Sequence, residues 1–402
     1  MVLKAALKNE RRPEYGVVTL PFPIPKEEYD STIRMLEVLD IGDAIRQDCT
    51  VEELQSGYSI LQWLEGAQVN LDELDYLAKR LDSFDTGEAA QFQGMACKLN
   101  LTDMKDLINL TFSCQQATVI TDFSDLEEIG RSHYLNTHGG FASMEELEQL
   151  DGTETAILLM ADNEGTVTPY GVVYDNGMQM EQLYKGKEFP AYLYEPCLMT
   201  VTMTPVHQTD GPENTTWLFL PAADQQIQRT MVRAGINSED DARFYIDENR
   251  LPKNAQWDSV IERESIFALN RLCQVLKPME PKELEKLRAT VTLAEPETAV
   301  EIIRLAENLD LFDFAPGAHT PAEYGKYMIQ QSGRFDYDSN LDEFYDYEGY
   351  AQRHMDNASG MFTDRGYIAY TGSVSLEELM ADAPAEQYQR EQEAGMGMGG
   401  LT

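Results

Sequence analysis

Apolar residues along the chain recur with two periods. Leu71, Leu74, Leu77 and Leu81 are three or four residues apart and share one face of a helix expected over NLDELDYLAKRLDSF. The same spacing predicts helices in TDMKDLINLTFS and SDLEEIGRSHY, and again in SIFALNRLCQVL, ETAVEIIRLAENL and TPAEYGKYMIQ. Thr102, Ser124 and Thr320 stand at expected N-caps, and Glu127 is placed to complete a capping box with Ser124. Extended apolar runs, VVTLPFPI and TWLFLPA, and two hairpin patterns, GTVTPYGVVY and GMFTDRGYIAY, predict short strands.

These elements come twice in the same order. A shift of 195 residues lays Leu71, Leu74, Leu77 and Leu81 on Ile266, Leu269, Leu272 and Leu276. Without a gap it then pairs Leu107, Ile108 and Leu110 with Ile302, Ile303 and Leu305, Gly130 with Gly325, and Gly165, Thr168 and Gly171 with Gly360, Thr363 and Gly366. Matching glycines weigh more than matching apolar residues, because a glycine marks backbone geometry rather than burial. The expected fold class is α+β, an elongated tandem of two similar small α/β units, each mostly helical with short antiparallel strands. The expected organisation is a basic N-terminal arm over residues 1–16, a first copy over 17–175, a β-rich insert or linker over 176–213, a second copy over 214–372, and an acidic flexible tail over 373–402.

Charge changes the picture most. The 402 residues hold 70 Asp and Glu against 31 Lys and Arg, a net charge of −39, while 43% hydrophobic content suffices for packed cores. Both halves share the excess, −22 over residues 1–210 and −17 over 211–402. Such a field repels nucleic acid and anionic membrane and favours basic partners. No apolar run reaches about 18 residues, so no membrane span is expected, and a cytoplasmic location is the default. Cys49, Cys97, Cys114, Cys197 and Cys273 are odd in number and lack a C-x-x-C pair, so they are expected as small core residues.

The densest acidic stretch is DYDSNLDEFYDYEGY over residues 336–350. Asp336, Asp338, Asn340 and Asp342 occupy the first ligand positions of a calcium loop, but Leu341 replaces the turn glycine and Tyr347 the closing glutamate, so no metal is expected. His133, His138, His207, His319 and His354 do not cluster, and no G-x-S-x-G, H-E-x-x-H or P-loop pattern is present. No catalytic residue and no cofactor is assigned, and the chain is not expected to be an enzyme. Nucleic-acid binding fails on sign, since a binder must replace counterions with Lys and Arg.

What remains is a displayed acidic surface. Duplex DNA carries about one charge per 1.7 Å, so 39 charges set out at that density would cover roughly 66 Å of pseudo-duplex. Helical acids three or four apart can form such rows. The candidate partner-binding residues are Asp72, Asp75, Asp82, Asp122, Asp125 and Glu128 in the first copy, and Asp336, Asp338, Asp342, Glu343, Asp346 and Glu348 in the second. Phe344 and the neighbouring tyrosines are expected partly in the core of a helix start.

Residues 340–372 carry a further signal: Phe344, Tyr345, Asp346, Tyr347 and Tyr350, then a hairpin with Gly360, Phe362, Thr363, Gly366, Tyr367 and Ile368. This pattern resembles the C-terminal signature of the ArdA antirestriction proteins, with TPAEYGKYMI and FYIDENRLP similar more loosely. The resemblance implies an acidic DNA mimic of a mobile genetic element, an inhibitor that occupies the DNA-binding channel of type I restriction-modification enzymes without a cofactor. It also implies a homodimer. Here the chain is doubled, so an intrachain pseudo-dimer is the other expectation, and the first copy carries MEELEQLDG and PYGVV where the second has the aromatic signature. The alternative is an acidic interaction protein of a mobile element that binds a basic regulator without imitating a duplex.

Overall fold

The computed structural model describes residues 2–381 apart from 212, 252, 335 and 357. The expected flexible tail beyond residue 381 lies outside the described residues. The chain is α+β and falls into two compact units, one of Met1–Pro196, Thr202–Leu218 and Ala222–Arg243, the other of Cys197–Val201, Phe219–Pro221 and Phe244–Thr402.

In the first unit β1 (Leu3–Lys8), β2 (Val17–Phe22), α1 (Tyr29–Val38), β3 (Cys49–Ser56) and β4 (Gln68–Val69) form a sheet of order β2-β1-β3-β4 with one helix. The expected basic arm is therefore corrected. Leu3, Ala5 and Leu7 alternate into the core while β1 pairs antiparallel with both β2 and β3. Lys4 and Lys8 masked a period of two that places their charges away from the buried side.

Helices α2 (Leu71–Asp82), α3 (Thr86–Lys98) and α4 (Met104–Leu110) follow. All four predicted leucines of α2 are buried, each contributing about 1.5–3 kcal/mol of apolar transfer. The cap of α4 is Asp103 rather than Thr102. Next come β5 (Thr118–Ile120), α5 (Leu126–Thr137), α6 (Met144–Gln149), α7 (Gly152–Asp162), β6 (Thr166–Thr168) and β7 (Gly171–Tyr174), with sheet order β5-β7-β6. Asp125, not Ser124, caps α5 by accepting from the Glu128 amide. Glu127 turns instead to Arg131 and the Thr153 amide, so the expected capping box does not form.

Between β7 and the next strand, residues 175–198 contain no helix or strand, although PAYLY was expected to be extended. Aromatic rings fix this segment within the unit: Phe189 stacks on Tyr76 at 4.5 Å and on Tyr184 at 4.9 Å between centroids, and Pro190 accepts from the Tyr76 hydroxyl. The chain continues through β8 (Met199–Pro205), which is the LMTVTMTP stretch, then β9 (Thr216–Leu220), α8 (Asp224–Arg233) and β10 (Ala242–Asn249).

The second unit continues with α9 (Ala255–Ile261), α10 (Ile266–Leu276), α11 (Pro281–Ala294), α12 (Ala299–Glu307), β11 (Phe312–Pro316), α13 (Pro321–Gln330), α14 (Tyr347–Met355), β12 (Ser359–Thr363), β13 (Gly366–Tyr370) and α15 (Leu376–Met380). Thr320 caps α13 in a full capping box with Glu323, as its sequence predicts. The last helix replaces the first residues of the expected flexible tail; Ser375 and Glu378 box its start, and Arg304 donates to the Met380 carbonyl.

Several local geometries recur at the offset of 195 residues. The sheets β5-β7-β6 and β11-β13-β12 have the same antiparallel order. Thr168 caps its hairpin by donating to Gly171 O at 2.9 Å and accepting from Tyr170 N, and Thr363 repeats both bonds with Gly366 and Arg365. At Gly130 a Cβ would collide with the carbonyl of Gly152, and at Gly325 with the carbonyl of Tyr347, so in each case two helices approach as closely as glycine allows.

Candidate functional site

The acidic stretch of the second unit is built on a 3-10 turn and a helix start. Asp338 opens the turn over 339–344 by accepting from the Asn340 amide at 2.9 Å, and Asp346 caps α14 by accepting from Gly349 N at 2.9 Å. Between them Asp342 is the organising carboxylate. Its Oδ1 accepts from Gln330 Nε2 at 2.8 Å, from the Tyr337 hydroxyl at 2.8 Å and from the Tyr347 hydroxyl. Hydrogen bonds from Tyr347 and Tyr337 hold its carboxyl below the ordinary range, and the Asp342 bond in turn pushes the Tyr337 phenol up to about 12. Tyr345 lies between Tyr337 and Tyr347, 5.9 and 5.7 Å from their centroids.

Asp336, Asp338, Glu343, Asp346 and Glu348 are exposed around this framework. Phe344 was expected partly in the core and is instead 81% exposed, because the 3-10 turn ends there and the tyrosines, not the phenylalanine, fold back onto Asp342. Gln330 and Tyr337 escaped the sequence reading; neither has a spacing relation to Asp342 that marks it.

In the first unit the six candidates separate. Asp122, Asp125 and Glu128 are exposed at the start of α5, where Asp122 accepts from the Ser124 amide at 2.9 Å and that bond lowers its pKa. Asp82 is exposed and accepts from the Tyr194 hydroxyl. Asp72 and Asp75 are not displayed at all, at 5% and 4% exposure, which corrects their assignment to a surface row. Asp72 takes Arg229 Nε at 3.0 and 3.2 Å, Arg233 Nη1, and the Tyr29 hydroxyl at 3.1 Å. Asp75 accepts from Ile24 N at 2.7 Å and pairs with Lys79 Nζ at 2.8 Å. The neutralising arginines come from α8, more than 150 residues away in the chain, a partnership no local pattern signals.

The next residue on α2, Glu73, is also buried and accepts from Tyr184 Oη at 2.8 Å. Burial raises its carboxyl pKa and the tyrosine bond partly opposes the rise. Cys49, Cys114, Cys197 and Cys273 are buried, as expected of small core residues, whereas Cys97 is only half-buried. Among the described residues no group of three or more His, Cys, Asp or Glu is placed to hold a metal ion, and no helix is long and apolar enough to cross a membrane.

The exposed acidic framework of 336–348 thus sits in a segment whose hairpin and helix start have the residues of a known family. Residues 209–369 match the antirestriction protein (ArdA) family. The ArdA match begins after β8 and ends within β13, and so contains all six candidates of the second unit. The six candidates of the first unit lie outside it. No curated protein matches the chain.

Proposed function

We propose that this protein is an antirestriction inhibitor that acts as a DNA mimic, occupying the DNA-binding site of a type I restriction-modification enzyme. The observation that carries this is the placement of Asp336, Asp338, Glu343, Asp346 and Glu348 on the surface of the ArdA-matching segment, on a framework fixed by Asp342. A held framework sets where these carboxylates stand on the surface, and a basic channel steers toward them over long range. No catalytic chemistry and no cofactor enters this reading.

The recurrence of sheet order, hairpin bonds and helix approach at one offset supports a duplication, with a first copy over 17–175 and a second over 214–372. On that reading one chain carries an intrachain pseudo-dimer, and a mobile genetic element is its natural source. The protein works in the cytoplasm, where restriction enzymes meet entering DNA. A second reading, an acidic protein that binds a basic regulator without duplex mimicry, gains from the burial of Asp72 and Asp75, which shortens the row available in the first copy.

The test is restriction of unmodified phage DNA by a type I host with and without the protein. Protection is expected, and with purified enzyme the inhibition is expected to compete with duplex DNA and to weaken steeply with salt. Protection absent from the host, or inhibition indifferent to both salt and DNA concentration, overturns the mimic.

A further inference from the structure

In the first unit a segment without helix or strand covers one side of α2. After β7 the chain is tied to α4 at Asn109, whose Oδ1 accepts from Tyr184 N at 2.7 Å and whose Nδ2 donates to the Tyr184 carbonyl at 3.0 Å. It then runs along α2, which packs on α4. The Tyr184 hydroxyl donates to Glu73 at 2.8 Å, the Tyr76 hydroxyl donates to the Pro190 carbonyl at 2.9 Å, the Tyr192 ring centroid lies 4.5 Å from Arg80 Cζ, and the Tyr194 hydroxyl donates to Asp82. Glu73 and Tyr76 are buried.

The second unit repeats the anchor. Arg304 on α12, 195 residues after Asn109, donates from Nη1 to the Met380 carbonyl at 2.6 Å, one residue past the counterpart of Tyr184. Helix α12 packs on α10, the counterpart of α2, and the described residues end at Ala381. At a shift of 194, Pro190, Ala191 and Tyr194 fall on Pro384, Ala385 and Tyr388. The first-unit segment has two more residues between the anchored carbonyl and the proline, a stretch in which it bends at Gly186. Glu73, Tyr76, Arg80 and Asp82 correspond to Ala268, Arg271, Val275 and Lys277, the last capping the end of α10. Ala268 and Val275 are half-buried, while Arg271 and Lys277 are exposed. The Glu73–Tyr184 pair thus gives way to Ala268 and Leu379, an exchange of polar for apolar on both sides. Charge replaces most of the aromatic contacts: residues 382–393 hold Asp382, Glu386, Glu391 and Glu393 against Arg390 alone.

We infer that residues 382–390 lie along the outward side of α10, with Pro384, Ala385 and Tyr388 in the places that Pro190, Ala191 and Tyr194 hold beside α2. The Arg271 guanidinium can donate to the Pro384 carbonyl as the Tyr76 hydroxyl does to that of Pro190, and Asp382 and Glu386 meet the two cations. Reach suffices, since five extended residues span about 17 Å, roughly the length of the 11-residue α10. A segment tethered next to the face meets it at a far higher effective concentration than a separate partner does. Arg271 and Lys277 lie in the ArdA-matching residues, so covering them with carboxylates keeps the field of that region negative. The inference rests on the duplication proposed above and deepens the mimic reading. Its readout is the position of the segment and not inhibition, so either can fail alone.

The experiment joins two introduced thiols in the whole chain with bis-maleimidoethane and identifies the linked peptides by mass spectrometry. One variant combines Lys277→Cys with Tyr388→Cys. A control combines Tyr388→Cys with Lys326→Cys, which is exposed on α13, and thermal unfolding checks that each variant folds. Linkage is expected about tenfold or more faster in the first pair than in the control. Adding Arg271→Glu to the first pair is expected to slow its linkage by about threefold or more. Equal rates in the two pairs give the segment no fixed place and overturn the inference, as does a rate indifferent to Arg271→Glu.

Discussion

Two acidic stretches meet opposite fates. On α2 the residues Asp72, Glu73 and Asp75 lie buried and meet Arg229, Arg233, Lys79 and Tyr184. Over 336–348 the carboxylates stay at the surface, and the three that are held, Asp338, Asp342 and Asp346, are held by neutral donors. Buried carboxylates require cations or hydrogen-bond donors and so become structure. Exposed ones with neutral supports keep their full negative charge and so remain available to a partner. Acidic density alone does not tell the two apart.

Breaking the buried side gives the largest expected effect. Arg229→Ala leaves Asp72 buried with two of its three side-chain partners, and the loss is expected at about 3–5 kcal/mol of stability by denaturant unfolding. A loss below about 1 kcal/mol places Asp72 in contact with water and erases the contrast. On the exposed side, converting Asp336, Asp338, Glu343 and Glu348 together to Lys is expected to leave the fold intact while weakening inhibition of a type I enzyme by about two orders of magnitude, roughly 3 kcal/mol. Unchanged inhibition by a folded fourfold variant removes this stretch from the interface.

Asp346→Ala is a smaller, structural perturbation of the exposed region. It removes the N-cap of α14 and is expected to cost about 1 kcal/mol, with Asp346→Asn restoring most of it. If Asn does not rescue, the carboxylate acts through its charge rather than its cap.

The two stretches should also answer pH with opposite slopes. Glu73 has a raised pKa in the folded state, so its contribution is fully present below the ordinary value of 4.5 and is lost as pH rises through the raised one. Glu73→Gln is therefore expected to gain stability relative to the parent as pH increases above 4.5. Asp342 has a lowered pKa, so its contribution is present above the ordinary 3.8 and is lost as pH falls through the depressed value; Asp342→Asn should approach the parent in acid. Unfolding midpoints across pH for the two variants check both signs. Smallest of all, single substitutions such as Asp338→Asn or Glu343→Gln are expected to change inhibition by less than about threefold, because the field is shared.

Local periodicity was enough to place the leucine face of α2, the Thr320 cap and both hairpins, since each depends on neighbours a few residues away, while the shift of 195 residues marked the glycines at 130 and 325, whose close approaches are to carbonyls on other helices. The sequence also determined the excess of negative charge and the aromatic pattern of 340–372 that resembles ArdA. Other features were decided only by the tertiary structure. The first residues became a central strand because β2 and β3 close on either side of Leu3, Ala5 and Leu7. Asp72 and Asp75 left the surface, since α8 returns from a distant part of the chain to bring arginines to Asp72 and the chain before α2 brings the Ile24 amide to Asp75. Asp342 became the hub of its stretch because Gln330, on another helix, points at it. Whether a carboxylate is displayed or buried depends on which donors the fold delivers to it, and those donors are too far apart in sequence for any local pattern to encode the meeting.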